Sequence, residues 1–297
     1  MIVSILVDGI FLSALLGLAS LGLSLSYAVF RFPNFAHGDL VTIGAYSAGA
    51  GAMLAGGVAS PVASMLTAAA ASVVAAIAVM LLADRLVLRT LLARRQGAAV
   101  IIAAFAIGLL LRNLVVLLVG PDQTAATGAL EIALPVLDFP IFAAARLTST
   151  ERLVIVATLA LVMLVHLLLR RTALGRDLRA VAENPELAGV CGIVVPRLRL
   201  LAWALAAGFC GVAGFSLFLL GPVRPETGAE FMLPALAAVI VGGVGSIAGT
   251  LAGALLIGIA ESAAVHLGAA EWRQVISFAL IIVVLCLRPA GLFGRRS

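Results

Sequence analysis

Runs of about twenty apolar residues recur from one end of this 297-residue chain to the other, the length a helix needs to cross a bilayer. They cover residues 5–30, 40–58, 61–82, 98–119, 153–169, 200–220, 231–241, 247–266 and 272–287. Within hydrocarbon every backbone N–H and C=O must be satisfied inside the protein, so such segments become helices. The expected fold is therefore all-α, a single membrane domain over residues 1–297. Eight segments are long enough to cross, and 231–241 is a short or broken helix leading into Gly242, Gly243 and Gly245. The first run has no basic flank and no small-residue cleavage signature, so it is expected to be retained as a span. Composition agrees: 63% of residues are hydrophobic and 11% charged, against about 45–50% and about 25% in soluble domains. A soluble enzyme, a nucleic-acid-binding module and a disordered chain are excluded.

Charge then orients the helices. All 19 basic residues are arginine, so lysine-dependent P-loop and Schiff-base chemistry is absent. With the N-terminus outside and nine crossings, Arg31, Arg85, Arg89, Arg94, Arg95, Arg170, Arg171, Arg176, Arg179, Arg197, Arg199, Arg288, Arg295 and Arg296 all lie inside. Only Arg146, Arg152, Arg224 and Arg273 lie outside, and Arg112 falls within a span. The positive-inside bias thus predicts a periplasmic N-terminus and a cytoplasmic C-terminus. Treating 231–241 as re-entrant would place Arg295 and Arg296 outside. The three cysteines form no C-x-x-C, so neither a disulfide framework nor a metal site is indicated.

Two loops stand out: a periplasmic one at 120–151, mixing prolines, acids and aromatics, and a cytoplasmic one at 170–199. In the second, Leu178, Val181 and Ala182 have helical spacing, and a second short helix restarts with Asn184 as N-cap and Pro185 in the first turn. Helices this short are held by packing. The spans supply one side, leaving another face for a partner. Ala182, Ala188 and Gly189 would let it approach, while Arg179, Glu183 and Glu186 would set its register. A loop lying on anionic headgroups is the alternative, and Glu183 and Glu186 would repel that surface.

Polar groups at membrane depth mark the remaining candidates. Asn34, His37, Gly38 and Asp39 sit between two spans. They either line a wet gate or form a short turn in which Asn34 or Asp39 caps the next helix. Gly243, Gly245 and Ala248 match a relaxed G-x-G-x-x-A, but the flanks are membrane-grade and no βαβ unit surrounds them. Gly242, Gly243, Gly245 and Ser246 read better as a hinge between a half-helix and a full span. Arg112 and Glu261 are intramembrane ionisable residues and form a candidate pair, structural or functional. His166 reads as interfacial. Small residues recur at helical spacing (Ala45 and Gly49, Ala207 and Gly211, Gly249 and Gly253), as close helix packing requires.

Four passages, at 24–48, 175–214, 234–262 and 287–295, together resemble the LivH-type permeases of branched-chain amino-acid ABC importers. The loop pattern is matched at Gly175, Arg176, Arg179, Ala180, Ala182, Asn184, Pro185, Ala188, Gly192 and Ile193. It is looser at Glu186-Leu187-Ala188, where a Glu-Ala-Ala core is the ABC norm, and Arg112 replaces a glutamine expected before Asn113. The resemblance implies a multi-pass subunit of the bacterial inner membrane, paired with a second, LivM-type permease. Two cytoplasmic ATPases carrying ATP and Mg, and a periplasmic binding protein, complete the assembly; this chain itself holds no cofactor and is not an enzyme. It further implies that the 170–199 loop docks into the ATPase and that the cargo is a branched-chain or related small amino acid. An ion-coupled carrier, the alternative, needs several buried carboxylates, and only Glu261 qualifies.

Overall fold

The computed structural model describes residues 2–55, 61–94, 97–121, 148–288 and 291–293, and these contain helices and no β-strand. In chain order they are α1 (Ile2–Phe30), α2 (His37–Ala55), α3 (Pro61–Ala83), α4 (Gly97–Val119), α5 (Ser149–Arg171), α6 (Ala173–Glu183), α7 (Pro185–Val190), α8 (Val195–Leu220), α9 (Thr227–Gly242), α10 (Ile247–His266) and α11 (Arg273–Leu287). Each segment expected to span is helical over its described residues. Among the described residues, seven helices are long and apolar enough to cross a membrane. The other two are α9, short as expected, and α2, whose glycines and polar first turn make it less apolar. The periplasmic loop expected at 120–151 lies outside the described residues except at its ends, where Thr148 and Glu151 form a capping box on α5.

The third helix is longer than its apolar run. It continues through a π-helical turn at Asp84–Leu88 into Arg89–Ala93, because leucine and arginine are good helix formers and no glycine or proline intervenes. The π-turn holds Asp84 in the interior, where Trp203 Nε1 donates to its carboxylate at 2.9 Å.

Helices α1, α2, α8, α9 and α10 form the centre of the bundle, while α3, α4, α5 and α11 turn leucines, valines and isoleucines outward. The central crossings are glycine contacts. A Cβ at Gly228 of α9 would overlap Gly38 of α2, and one at Gly242 would overlap Gly249 of α10. Such backbone-to-backbone approach supplies the dispersion contacts that hold helices together in lipid. These contacts favour packing as the role of Gly211, Gly249 and Gly253. They also fix the depth of α2. His37, its first residue, donates from Nε2 to the Ala19 carbonyl at 2.8 Å, about 16 Å from the end of α1 at 1.5 Å per residue.

Candidate functional site

The 170–199 loop is two capped helices. Thr172 caps α6, its hydroxyl accepting from Gly175 N at 3.2 Å. A Cβ at Gly175 would collide with the carbonyls of Leu168 and Leu169, so glycine lets α6 fold back onto the end of α5. Leu178 and Val181 are buried in the main core. The Arg179 guanidinium donates to the Leu169 carbonyl, and Arg31 Nη2 donates to the Ala182 carbonyl at 2.7 Å. Asn184 caps α7 as its sequence predicts, its Oδ1 accepting from Glu186 N and Leu187 N at 3.0 and 3.1 Å. Gly192, at φ +86°, closes the helix. Arg176, Glu183, Glu186, Gly189 and Gly192 are exposed.

One expectation about this loop is corrected. Ala188 is 4% exposed and belongs to the main core, so it faces the bundle rather than a partner. Ala182 is half-buried, its carbonyl engaged by Arg31. The outward face of α7 carries Leu187 and Val190, 60% and 86% exposed.

Beside the loop opens a cleft of about 660 Å³, lined by Ser24, Ala28, His166, Arg170, Arg179, Ala182, Gly245 and Ser246. The glycine run supplies its far wall. Gly243 and Gly245 take φ +101° and +81°, conformations that glycine alone adopts without strain, and Ser246 caps α10 by accepting from Gly249 N at 3.1 Å. Gly242 is not part of the break: it ends α9 and packs on Gly249. The expected hinge and the expected loop, more than 40 positions apart in sequence, thus face one cavity.

The 34–39 segment stands apart from that cleft. Asn34, His37, Gly38 and Asp39 are all buried. Asn34 Oδ1 accepts from Ala36 N at 3.2 Å, and its amide lies 3.6 Å from Met80 Sδ. Cys210 Sγ lies 3.3 Å from His37 Nδ1. Asn34 acts as a local cap, one of the two readings its sequence allows, yet at membrane depth rather than in a surface turn.

The intramembrane pair is also corrected. Arg112 binds Asp39, with Nε and Nη2 each 3.0 Å from Oδ1. A Cβ at Gly108, one turn earlier on α4, would strike that carboxylate, so glycine makes the room. Glu261 instead accepts from Ser277 Oγ at 2.5 Å and from Arg273 Nη2 at 3.2 Å. Each acid takes the nearest base on a helix packed against its own. Sequence reading missed Arg31, Asp84, Arg273 and Ser277. Asp84 had a signal, an acid inside the run Leu81–Leu88; the others sit where helix ends meet.

A bundle of membrane-length helices around buried polar pairs, with an open cleft at one end, has the architecture of a membrane permease. The comparisons with known proteins agree. The family model for "Branched-chain amino acid transport system / permease component" matches residues 5–285, and the chain belongs to that family. It is 32% identical to the probable branched-chain amino acid transport permease LivH of Methanocaldococcus jannaschii, over 98% of this chain and 92% of that protein. It is 28% identical to LivH of Escherichia coli K12, over 97% and 94%. It is 30% identical to BraD of Pseudomonas aeruginosa, over 98% and 95%. No solved structure matches the chain.

Proposed function

We propose that this chain is one of two permease subunits of an ATP-driven importer for branched-chain or related small amino acids. A LivM-type subunit completes the channel, two cytoplasmic ATPases bearing ATP and Mg²⁺ bind the α6–α7 loop, and a periplasmic protein delivers cargo. ATP is hydrolysed on those partners and not on this chain. The observation that carries the reading is the shared cleft: the loop and the Gly245–Ser246 part of the hinge line one cavity, so movement of the loop acts directly on the hinge. The cleft is then the inner mouth of the route, and the buried 34–39 segment lies apart from it, deeper in the bundle.

Two measurements test this. With Cys191 and Cys286, the exposed cysteines, replaced by serine, Ser246→Cys reacts with a small water-soluble thiol reagent, at a rate that differs between ATP-bound and nucleotide-free complexes. Asn34→Cys, buried in this conformation, reacts more slowly in both. Equal rates for Ser246→Cys in both states would remove the hinge from the gate. A reporter fused after Ser297 is expected to be active only as a cytoplasmic marker; periplasmic activity would invert the orientation and with it the assignment of the loop.

A further inference from the structure

The end of the bundle remote from the loop holds a second cavity, of about 240 Å³. It forms where α9 begins and where α10 gives way to α11. Ligand sites for drug-sized molecules run from about 300 to 1,000 Å³, so this one admits only a small molecule. One wall is apolar, with Leu16, Phe231 and Pro234; Glu230, Glu261, Glu271, Arg273 and Gln274 supply its polar lining.

These groups are not equivalent. Glu261, with its side chain 3% exposed, is engaged by Arg273 and Ser277. The Arg273 guanidinium is only partly used: Nη2 meets Glu261, Nε is buried without a hydrogen-bond partner among the described residues, and the side chain is 42% exposed. Pro234 lies inside α9. Having no N–H, it removes the regular donor to the Glu230 carbonyl one turn earlier. The Glu230 carboxylate is half-exposed and stands 3.7 Å from Arg224, and Glu271 is exposed at the mouth. The cavity is therefore lined by a guanidinium engaged on one nitrogen, two outer carboxylates on either side of it, and an apolar wall beside the Pro234 break. A metal ion does not suit it, because no three His, Cys, Asp or Glu among the described residues converge closely enough to hold one.

We propose that this cavity is a subsite for a zwitterionic α-amino acid with an aliphatic side chain. The carboxylate is bound by Arg273, the ammonium by the Glu230 carbonyl with the Glu230 and Glu271 carboxylates, and the side chain rests on Phe231 and Pro234. Charge-assisted bonds at both ends of the zwitterion set its orientation, and the small volume sets the size of the side chain. The inference rests on the permease reading and adds a place on this chain where cargo is held. Helix α9 carries this cavity at one end and leads into the hinge at the other, so cargo and gate share one element.

The test is equilibrium binding of labelled L-leucine to the assembled transporter without its binding protein, with leucinamide and 4-methylpentanoate as competitors. Each competitor lacks one charge and is expected to bind at least tenfold more weakly than leucine. Arg273→Gln raises the half-saturating leucine concentration at least tenfold and erases the preference over leucinamide only. Glu271→Gln, at an exposed position outside the Glu261 contact, erases the preference over 4-methylpentanoate only. Loss of one preference per variant is a signature that general misfolding does not produce. Unchanged binding in both variants, or no leucine binding by a complex that still imports leucine, would overturn the subsite and leave the permease reading standing. A complex that imports no amino acid with any binding protein would overturn both.

Discussion

The double variant Leu187→Glu/Val190→Glu is expected to lose ATP-driven uptake by a factor of about 100–1,000 while remaining inserted at normal levels. Both side chains point away from the bundle, so their replacement removes no packing within this chain. In a protein interface, anchor residues of this kind cost about 2 kcal/mol or more each when lost, and about 1.4 kcal/mol is tenfold in affinity. Two of them reach the expected factor even with incomplete additivity. A carboxylate at each position adds repulsion from any acids the partner presents. Co-purification of the ATPase should fall in parallel. Ala188→Glu, one position from Leu187, serves as the contrast. Its carboxylate would enter the main core without a partner, so that variant loses folded protein rather than coupling. Normal uptake and normal co-purification by the double variant would sink the assignment of α7 as the docking element. The arginine-bearing end of the third helix, Arg89–Ala93, would then be the next surface to examine.

The difference between Ala188 and Leu187 shows where sequence reading ends. The Asn184-Pro185 restart was legible because capping is local chemistry: an Asn side chain reaches the N–H groups two and three residues on, whatever surrounds it. Spans were legible for a similar reason, since lipid acts on each apolar run separately. The facing of α7 was not. A helix of six residues is too short to carry a readable apolar stripe, and its orientation is set by α6 and the Gly192 turn. Partner choice was illegible for another reason. Arg112 and Glu261 both announced themselves as charges in apolar runs, yet which acid meets which base depends on helix neighbours and on depth. The depth of α2 is the clearest case. Sequence leaves open whether His37 and Asp39, only a few residues from Arg31, lie at membrane depth or in a surface turn. The bent 31–36 segment carries them inward to Ala19, Cys210 and Arg112.

That depth makes the Asp39–Arg112 pair the largest single stability term open to test. Asp39→Ala is expected to destabilise the protein by about 3 kcal/mol, the low end for removing one partner of a buried ion pair. The low end applies because Arg112 is 27% exposed and regains some hydration when its partner goes. In a chain of this size about 3 kcal/mol corresponds to roughly 5–10 °C in the unfolding midpoint, readable in detergent by thermal denaturation. The reverse change, Arg112→Gln, strands the more buried member, whose side chain is 6% exposed. Asp39→Asn combined with Arg112→Gln keeps a hydrogen-bonded pair of similar shape without either charge. It is expected to recover most of the lost stability, since uncompensated charge and not the missing contact is what costs most at this depth. An Asp39→Ala midpoint within about 1 °C of the parent would mean that water reaches Arg112 freely. The α2–α4 contact would then border an aqueous space, and the wet reading of the 34–39 segment would gain what the packed one loses.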